Sequence, residues 1–232
     1  MRDLLINLFA SALAGITVWS ASRLARHRRQ VRKQTFFGLD RDVICLLSVS
    51  RHASSNHDLS VHRRDVAAVV ELATIAKDCG ARVKLLTHNE LDQGLGRFTE
   101  FCVGGPHGNE RTGAHLRSLL PGVHVEPYDA GGDNGLPFSV GTTTYRRQRG
   151  KVEYGLLARA LSPGGGRPVF LLSGQTARVN LAAARFLAGR FAKMQRRYGG
   201  GRFCLVLRVL EPAVYGADFV EVVADVTDSA FG

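Results

Sequence analysis

Three short segments of this chain combine the residue types from which an anion site is built. Ser50-Arg51-His52 follows the apolar run 43–49, Gly104-Gly105-Pro106 follows 99–103, and Ser173-Gly174-Gln175-Thr176 follows 169–172. The second segment continues through Asn109 and Glu110 to Arg111 and Thr112, and the third continues to Arg178. Each links a strand-like run to a helix-like one. At such a junction the first helical turn leaves N–H groups unsatisfied and partly positive, and glycine lets an anion come close to the backbone. Arginine and threonine add donors that hold phosphate or carboxylate. The expected ligand-binding set is therefore Ser50, Arg51, Gly104, Gly105, Asn109, Arg111, Thr112, Ser173, Gly174, Gln175, Thr176 and Arg178. No loop reads GxxxxGK[ST] or GxGxxG, so the expected ligand is a small anion of the nucleotide class and no cofactor is specified. The same residue types also make ordinary turns and helix caps, Asn109 and Thr176 above all.

Hydrolysis or transfer at an N-glycosidic bond needs a carboxylate beside the sugar. Glu110 lies inside the Gly-rich segment and is the expected acid, ahead of Asp58 and Glu153. An acid in a first helical turn is also favoured for stability alone. Other chemistries have less support. There is no GxSxG elbow for a nucleophilic serine. His52, His57 and His62 recur every five residues, whereas a helical metal site wants four, so no metal is expected. Cys45, Cys79, Cys102 and Cys204 form no CxxC pair, which argues against a zinc ribbon and a disulfide framework. Cys45, Cys102 and Cys204 fall in strand-like runs, where a thiol packs as a small apolar side chain.

The elements that must position these loops alternate in type. The run 43–49 (VICLLSV) ends in a Ser/Asn cluster and reads as a buried strand. Residues 65–79 carry Val66, Val69, Val70, Ala73 and Ala76 at helical spacing and stop at Gly80. Strands are expected at 82–86 and 99–103, a helix at 109–120 closed by Pro121-Gly122, and a short strand at 123–127. Beyond the Gly/Asp-rich loop 129–137, the Thr-rich segment 140–147 and the segment 152–160 read as a hairpin joined at Arg149-Gly150. After a second loop at 163–167, a strand at 169–172 precedes a long helix at 181–198, and strands at 203–210 and 219–226 close the chain.

The net charge of the 232 residues is +11, yet Arg23, Arg26, Arg28, Arg29, Arg32 and Lys33 supply six of those charges in one run without an acid. Residues 34–232 keep only +5, which is not the spread basic surface of a nucleic-acid-binding domain. No specific nucleic-acid partner is expected. Leu4 to Ser22 is 19 residues without a formal charge, about 28 Å as a helix and close to the roughly 30 Å hydrocarbon core of a bilayer. Trp19 stands where an interfacial aromatic belongs, and the basic run follows at once, as in a stop-transfer pattern with the bulk of the chain cytoplasmic. A cleaved signal peptide would carry its charges before the apolar stretch. Ala10, Ser11, Ala14 and Gly15 make small-xxx-small spacings that allow close helix pairing and hence a homo-oligomer.

Alternation of strand and helix argues for a parallel sheet covered on both faces. The expected fold is α/β, a three-layer Rossmann-like or flavodoxin-like domain with a mostly parallel sheet, antiparallel edge strands and one N-terminal transmembrane helix. Its expected organisation is a transmembrane anchor at 1–22, a basic juxtamembrane linker at 23–41 and a cytosolic domain at 42–232, at the cell membrane as a single-pass protein. In open α/β sheets ligands bind outside the carboxyl ends of the strands, so parallel strands would bring the three loops to one edge. Over residues 43–198 this order of elements resembles the Rossmann-type nucleotide-sensing and nucleoside-processing domains of bacterial signalling and defence proteins, such as TIR domains and nucleoside deoxyribosyltransferase-like domains. The resemblance lies in the element pattern and carries no diagnostic motif. It implies nucleotide binding and transfers no catalytic glutamate to a residue of this chain. The sequence thus supports a membrane-anchored cytosolic domain that binds a nucleotide or similar anion as sensor or effector. Its rivals are an N-glycosidic hydrolase or transferase on the same scaffold and a non-catalytic scaffold for protein partners.

Overall fold

The structure, a computed structural model, describes residues 2–53, 55–57, 59–90, 95–127, 136–162 and 164–232, with the side chains of the first helix from residue 15 onward. Asp58, most of the loop 129–137, Pro163, and Ala10, Ser11 and Ala14 of the small-residue face lie outside that description.

Helix α1 (Arg2–Phe37) is unbroken for 36 residues, about 54 Å at the helical rise. Among the described residues no helix is long and apolar enough to cross a membrane. Most side chains of the expected span, residues 4–14, are outside those residues. The linker expected at 23–41 is instead helical through Phe37, and its end is part of the core. Phe36 and Phe37 are fully buried. Phe36 stacks on Phe203 with ring centroids 6.3 Å apart, and Phe37 lies 5.5 Å from Phe170. A solvated linker has no use for two aromatics, whereas burying each contributes about 1.5–3 kcal/mol. Lys33 Nζ pairs with Asp78 at 2.6 Å and Gln34 Nε2 donates to the Cys79 carbonyl at 2.8 Å, which ties α1 to the end of α2 (Arg63–Asp78).

The central sheet has seven strands in the order β10-β9-β7-β8-β3-β1-β2. Strands β1 (Ile44–Val49), β2 (Arg82–Leu86), β3 (Thr99–Val103) and β8 (Val169–Gly174) are mutually parallel. Strand β7 (Val152–Ala160) runs against β8 and β9 (Phe203–Leu210), and β10 (Val220–Asp225) runs against β9. Five of the seven strands therefore share one direction.

The expected edge hairpin of 140–147 with 152–160 does not form. Strand β5 (Phe138–Val140) pairs instead with β6 (Thr143–Tyr145) and with β4 (Val123–Val125) in a separate three-stranded sheet. The reason lies in burial. From Gly155 onward β7 is buried without interruption, as suits a strand flanked on both sides, while the Thr-rich β6 is exposed at Thr143 and Thr144.

Helices cover both faces of the sheet. On one, α2, α4 (Ala177–Tyr198) and the end of α1 pack around Leu47, Phe101, Phe170 and Leu205. On the other, the small sheet, α3 (Glu110–Leu119) and α6 (Thr227–Phe231) enclose Cys102, Leu156, Leu171 and Val206. The fold is thus a mixed α/β domain in three layers. The four-residue α5 (Pro212–Tyr215) links β9 to β10. Parallel β1, β3 and β8 place their carboxyl ends at one edge, and antiparallel β7 begins there.

Candidate functional site

The three loops meet at that edge. Ser50 N donates to the Val103 carbonyl and Gly104 N to that of Leu172, so each loop is stitched to the next strand. Gly104 has φ +104°, and a Cβ there would fall 1.7 Å from Ser50 Oγ. Only glycine permits this loop-on-loop approach. At Gly105 an added Cβ would meet Ser173 Oγ at an ordinary 3.8 Å.

The second loop is built for rigidity. Asn109 is fully buried and caps α3: its Oδ1 accepts from Thr112 N, and its Nδ2 donates to Ser48 Oγ and the Val103 carbonyl. Arg111 turns inward and grips Glu100 on β3 through Nε at 2.8 Å and Nη2 at 2.6 Å. His115 Nε2 meets the same carboxylate at 2.8 Å. Burial penalises the Glu100 charge, but His115 and Arg111 overcome it and hold the carboxyl below its ordinary range. Burial likewise disfavours the His115 cation, yet hydrogen bonds to Cys102 and Glu100 raise its pKa to about 9. Glu100, Cys102 and His115 bring their ligand atoms within 4.8 Å of one another. That geometry would suit a metal, but both carboxylate oxygens are already engaged, Oε1 by Arg111 and Oε2 by Arg111 and His115. The group reads as an ion cluster joining β3 to α3, and it draws Arg111 away from the expected cradle. Thr112 is buried with its Oγ1 unpartnered among the described residues. Glu110 is exposed in the first turn of α3, where its charge complements the helix dipole.

The third loop opens onto a cleft. Gly174 N donates to Asn180 Oδ1 at 2.7 Å, and Asn180 Nδ2 donates to buried Asp65 at 2.8 Å. Burial raises the Asp65 carboxyl to about 6, against the bond from Asn180. A Cβ at Gly174 would sit 2.6 Å from that of Val179, so glycine is what lets α4 start hard against the sheet. Gln175 is spent on backbone, accepting from Tyr154 N and donating to the Tyr145 carbonyl. Thr176 caps α4, accepting from Val179 N, and its hydroxyl donates to Glu153 Oε2 at 2.8 Å. Arg178 Nη1 meets Glu153 Oε1 at 3.1 Å. Glu153, only 4 % exposed, stands at this edge because β7 is antiparallel.

The chain matches no family model, no curated protein and no solved structure.

Around Glu153 lies a cleft of about 410 Å³ whose wall also carries His62, Arg64, Arg147 and Arg149. The Nε atoms of Arg147 and Arg178 are buried without a hydrogen-bond partner among the described residues. Burial holds Arg64 below its ordinary pKa, with Arg178 and Arg63 adding to the effect and Glu153 opposing it. His62 caps α2 by accepting from Arg64 N at 3.1 Å and stacks on His52 at 5.2 Å. Burial, His52 and the nearby arginines push its pKa down. Among the described residues, Arg64, Arg147, Arg149 and Arg178, the His62 imidazole, the Thr176 hydroxyl and the N-terminus of α4 thus line one cleft with Glu153. This arrangement can accept an anion and offers a carboxylate beside it.

Of the expected ligand residues, Thr176 and Arg178 line this cleft, while Ser50, Gly104, Gly105 and Ser173 gather at the same edge. Arg51 is tied there through its backbone N to the Gly108 carbonyl. Arg64, Arg147 and Arg149 were not anticipated. Their signal is present as Arg63-Arg64 and the run Arg146-Arg147-Gln148-Arg149, but nothing local says that the two meet.

Proposed function

We propose that this chain is a membrane-anchored α/β domain that binds a phosphate-bearing anion, a nucleotide, in the Glu153 cleft and acts as a sensor or effector. The observation carrying this reading is the gathering of Arg64, Arg147 and Arg178 at the N-terminus of a 22-residue helix, with the Nε atoms of Arg147 and Arg178 buried and unpartnered among the described residues. The strand order β2-β1-β3-β8 supports a flavodoxin-like variant of the Rossmann theme, since ligands of such sheets lie outside the strand carboxyl ends. The uncharged stretch 4–22 and the basic run behind it support the anchor. A second reading, N-glycosidic hydrolysis or transfer, is favoured by one observation: Glu153, held by Thr176 and Arg178, replaces exposed Glu110 as the acid in position.

Thermal unfolding of the full chain against a panel of nucleotides tests both. The full chain is required because the end of α1 belongs to the core. Binding to the native state at a hundredfold excess over Kd stabilises by about 2.7 kcal/mol. A selective upward shift supports the binding reading, and no shift with any nucleotide refutes it. Glu153→Gln separates the two: a binding-only cleft keeps or gains affinity for the anion, whereas an enzyme loses product formation.

A further inference from the structure

A second groove, of about 640 Å³, runs between α1 and the C-terminal half of α4. Its rim carries Arg28, Arg29 and Arg32 from α1 and Arg196 from α4, all exposed, and its floor includes Leu24 and Phe191. Neither residues 4–37 nor α4 contains an Asp or Glu. Neighbouring Lys33 and Arg197 are matched by Asp78 and Asp225, but the four rim arginines have no ion-pair partner among the described residues. Helix α4 starts at the carboxyl edge and ends where β9 begins, so this groove sits at the amino edge, away from the cleft.

We infer that the groove docks on the head groups of an anionic phospholipid bilayer, guanidiniums on the phosphates and the apolar floor toward the glycerol region. Two features select a bilayer over another polyanion. A nucleic-acid groove has no use for Leu24, which is 49 % exposed between arginines. The same helix also continues away from the groove as 19 residues without formal charge. The inference rests on the anchored reading and deepens it: α1 brings the chain to a membrane, and the groove selects the lipid and fixes which side of the domain faces it. The carboxyl-edge cleft then points to the cytosol.

The test is flotation of the full chain with vesicles of phosphatidylcholine and, separately, of phosphatidylcholine mixed with phosphatidylserine. The ratio of the two affinities is the readout, because the uncharged half of α1 contributes to both and cancels. A preference for the serine lipid of at least about tenfold is expected at low salt, shrinking as salt rises. Arg196→Glu should cut that ratio by about fivefold or more, while the equal charge reversal Lys151→Glu, just before β7 at the carboxyl edge, leaves it unchanged. Equal binding to both vesicles overturns the groove and keeps the anchor. Binding only to the serine-containing vesicles supports the groove and overturns the anchor, and binding to neither overturns both. A ratio untouched by Arg196→Glu assigns the preference to the α1 run alone and overturns the groove, as does capture by duplex DNA without a lipid preference.

Discussion

Among the described residues, α4 meets at its N-terminal end a cleft whose arginines share their wall with buried Glu153; at its C-terminal end the same helix flanks a groove lined by four arginines and no carboxylate. Arginine content does not distinguish the two surfaces. What distinguishes them is what restrains the side chains. In the cleft, Glu153 holds Thr176 and Arg178 in place at the N-terminus of α4, a geometry for one small anion. In the groove the arginines are exposed and, among the described residues, without an ion-pair partner over an apolar floor, which suits an extended charged surface met in many orientations. The exposed surface should also be the more sensitive to salt, since buried charge is screened less.

The contrast is broken most severely where α1 joins the core. Phe37→Ala is expected to cost about 3–5 kcal/mol in urea denaturation, because a buried ring leaves a cavity. A loss below about 1 kcal/mol would restore the flexible linker and detach the groove from the domain.

The interior ion cluster of Glu100, Arg111 and His115 comes next. His115 has its pKa raised from 6.5 to about 9 in the folded chain, so its stabilisation is complete below 6.5 and is lost as pH rises through 9. Stability should fall across that window, and His115→Gln should flatten the fall. A His115→Gln profile identical to that of the native chain would free Arg111 to be counted with the cleft.

Arg147→Ala sharpens the comparison at the cleft itself. Loss of one charged donor should weaken nucleotide binding about tenfold, roughly 1.5 kcal/mol, with the lipid preference unchanged. Parallel loss of both would show that the two ends of α4 act as one surface. The smallest effect belongs to Glu110→Ala, about 0.3–1 kcal/mol of stability from the helix dipole and no change in nucleotide affinity. A tenfold drop in affinity on that substitution would return Glu110 to the site.

Much of the local structure was legible in the sequence. Strands at Arg82–Leu86, Thr99–Val103 and Phe203–Leu210 fall where the apolar runs place them, and the caps at Asn109 and Thr176 are as expected. These features depend on neighbours a few residues away. The same reading misplaced 152–160, because adjacency in sequence suggested a hairpin while continuous burial sent the strand between β8 and β9. It also took 23–41 for a linker, although Phe36-Phe37 carried the signal of a docked helix end. Arg111 fits a ligand loop by type and spacing, and its partner Glu100 is only eleven residues away. Yet their pairing depends on how α3 lies over β3.

The sequence by itself determined the alternation of elements, the concentration of positive charge in 23–33, and the junctions where strands give way to helices, since each follows from local pattern and propensity. Only the tertiary structure decided which side chains share a site. Glu153 reaches the carboxyl edge because β7 enters the sheet antiparallel, and Arg64 of α2, Arg147 of the loop before β7 and Arg178 of α4 are brought together by that strand order. Charge acts through space over distances that the chain covers only by folding, so the sign and setting of an electrostatic site are properties of packing.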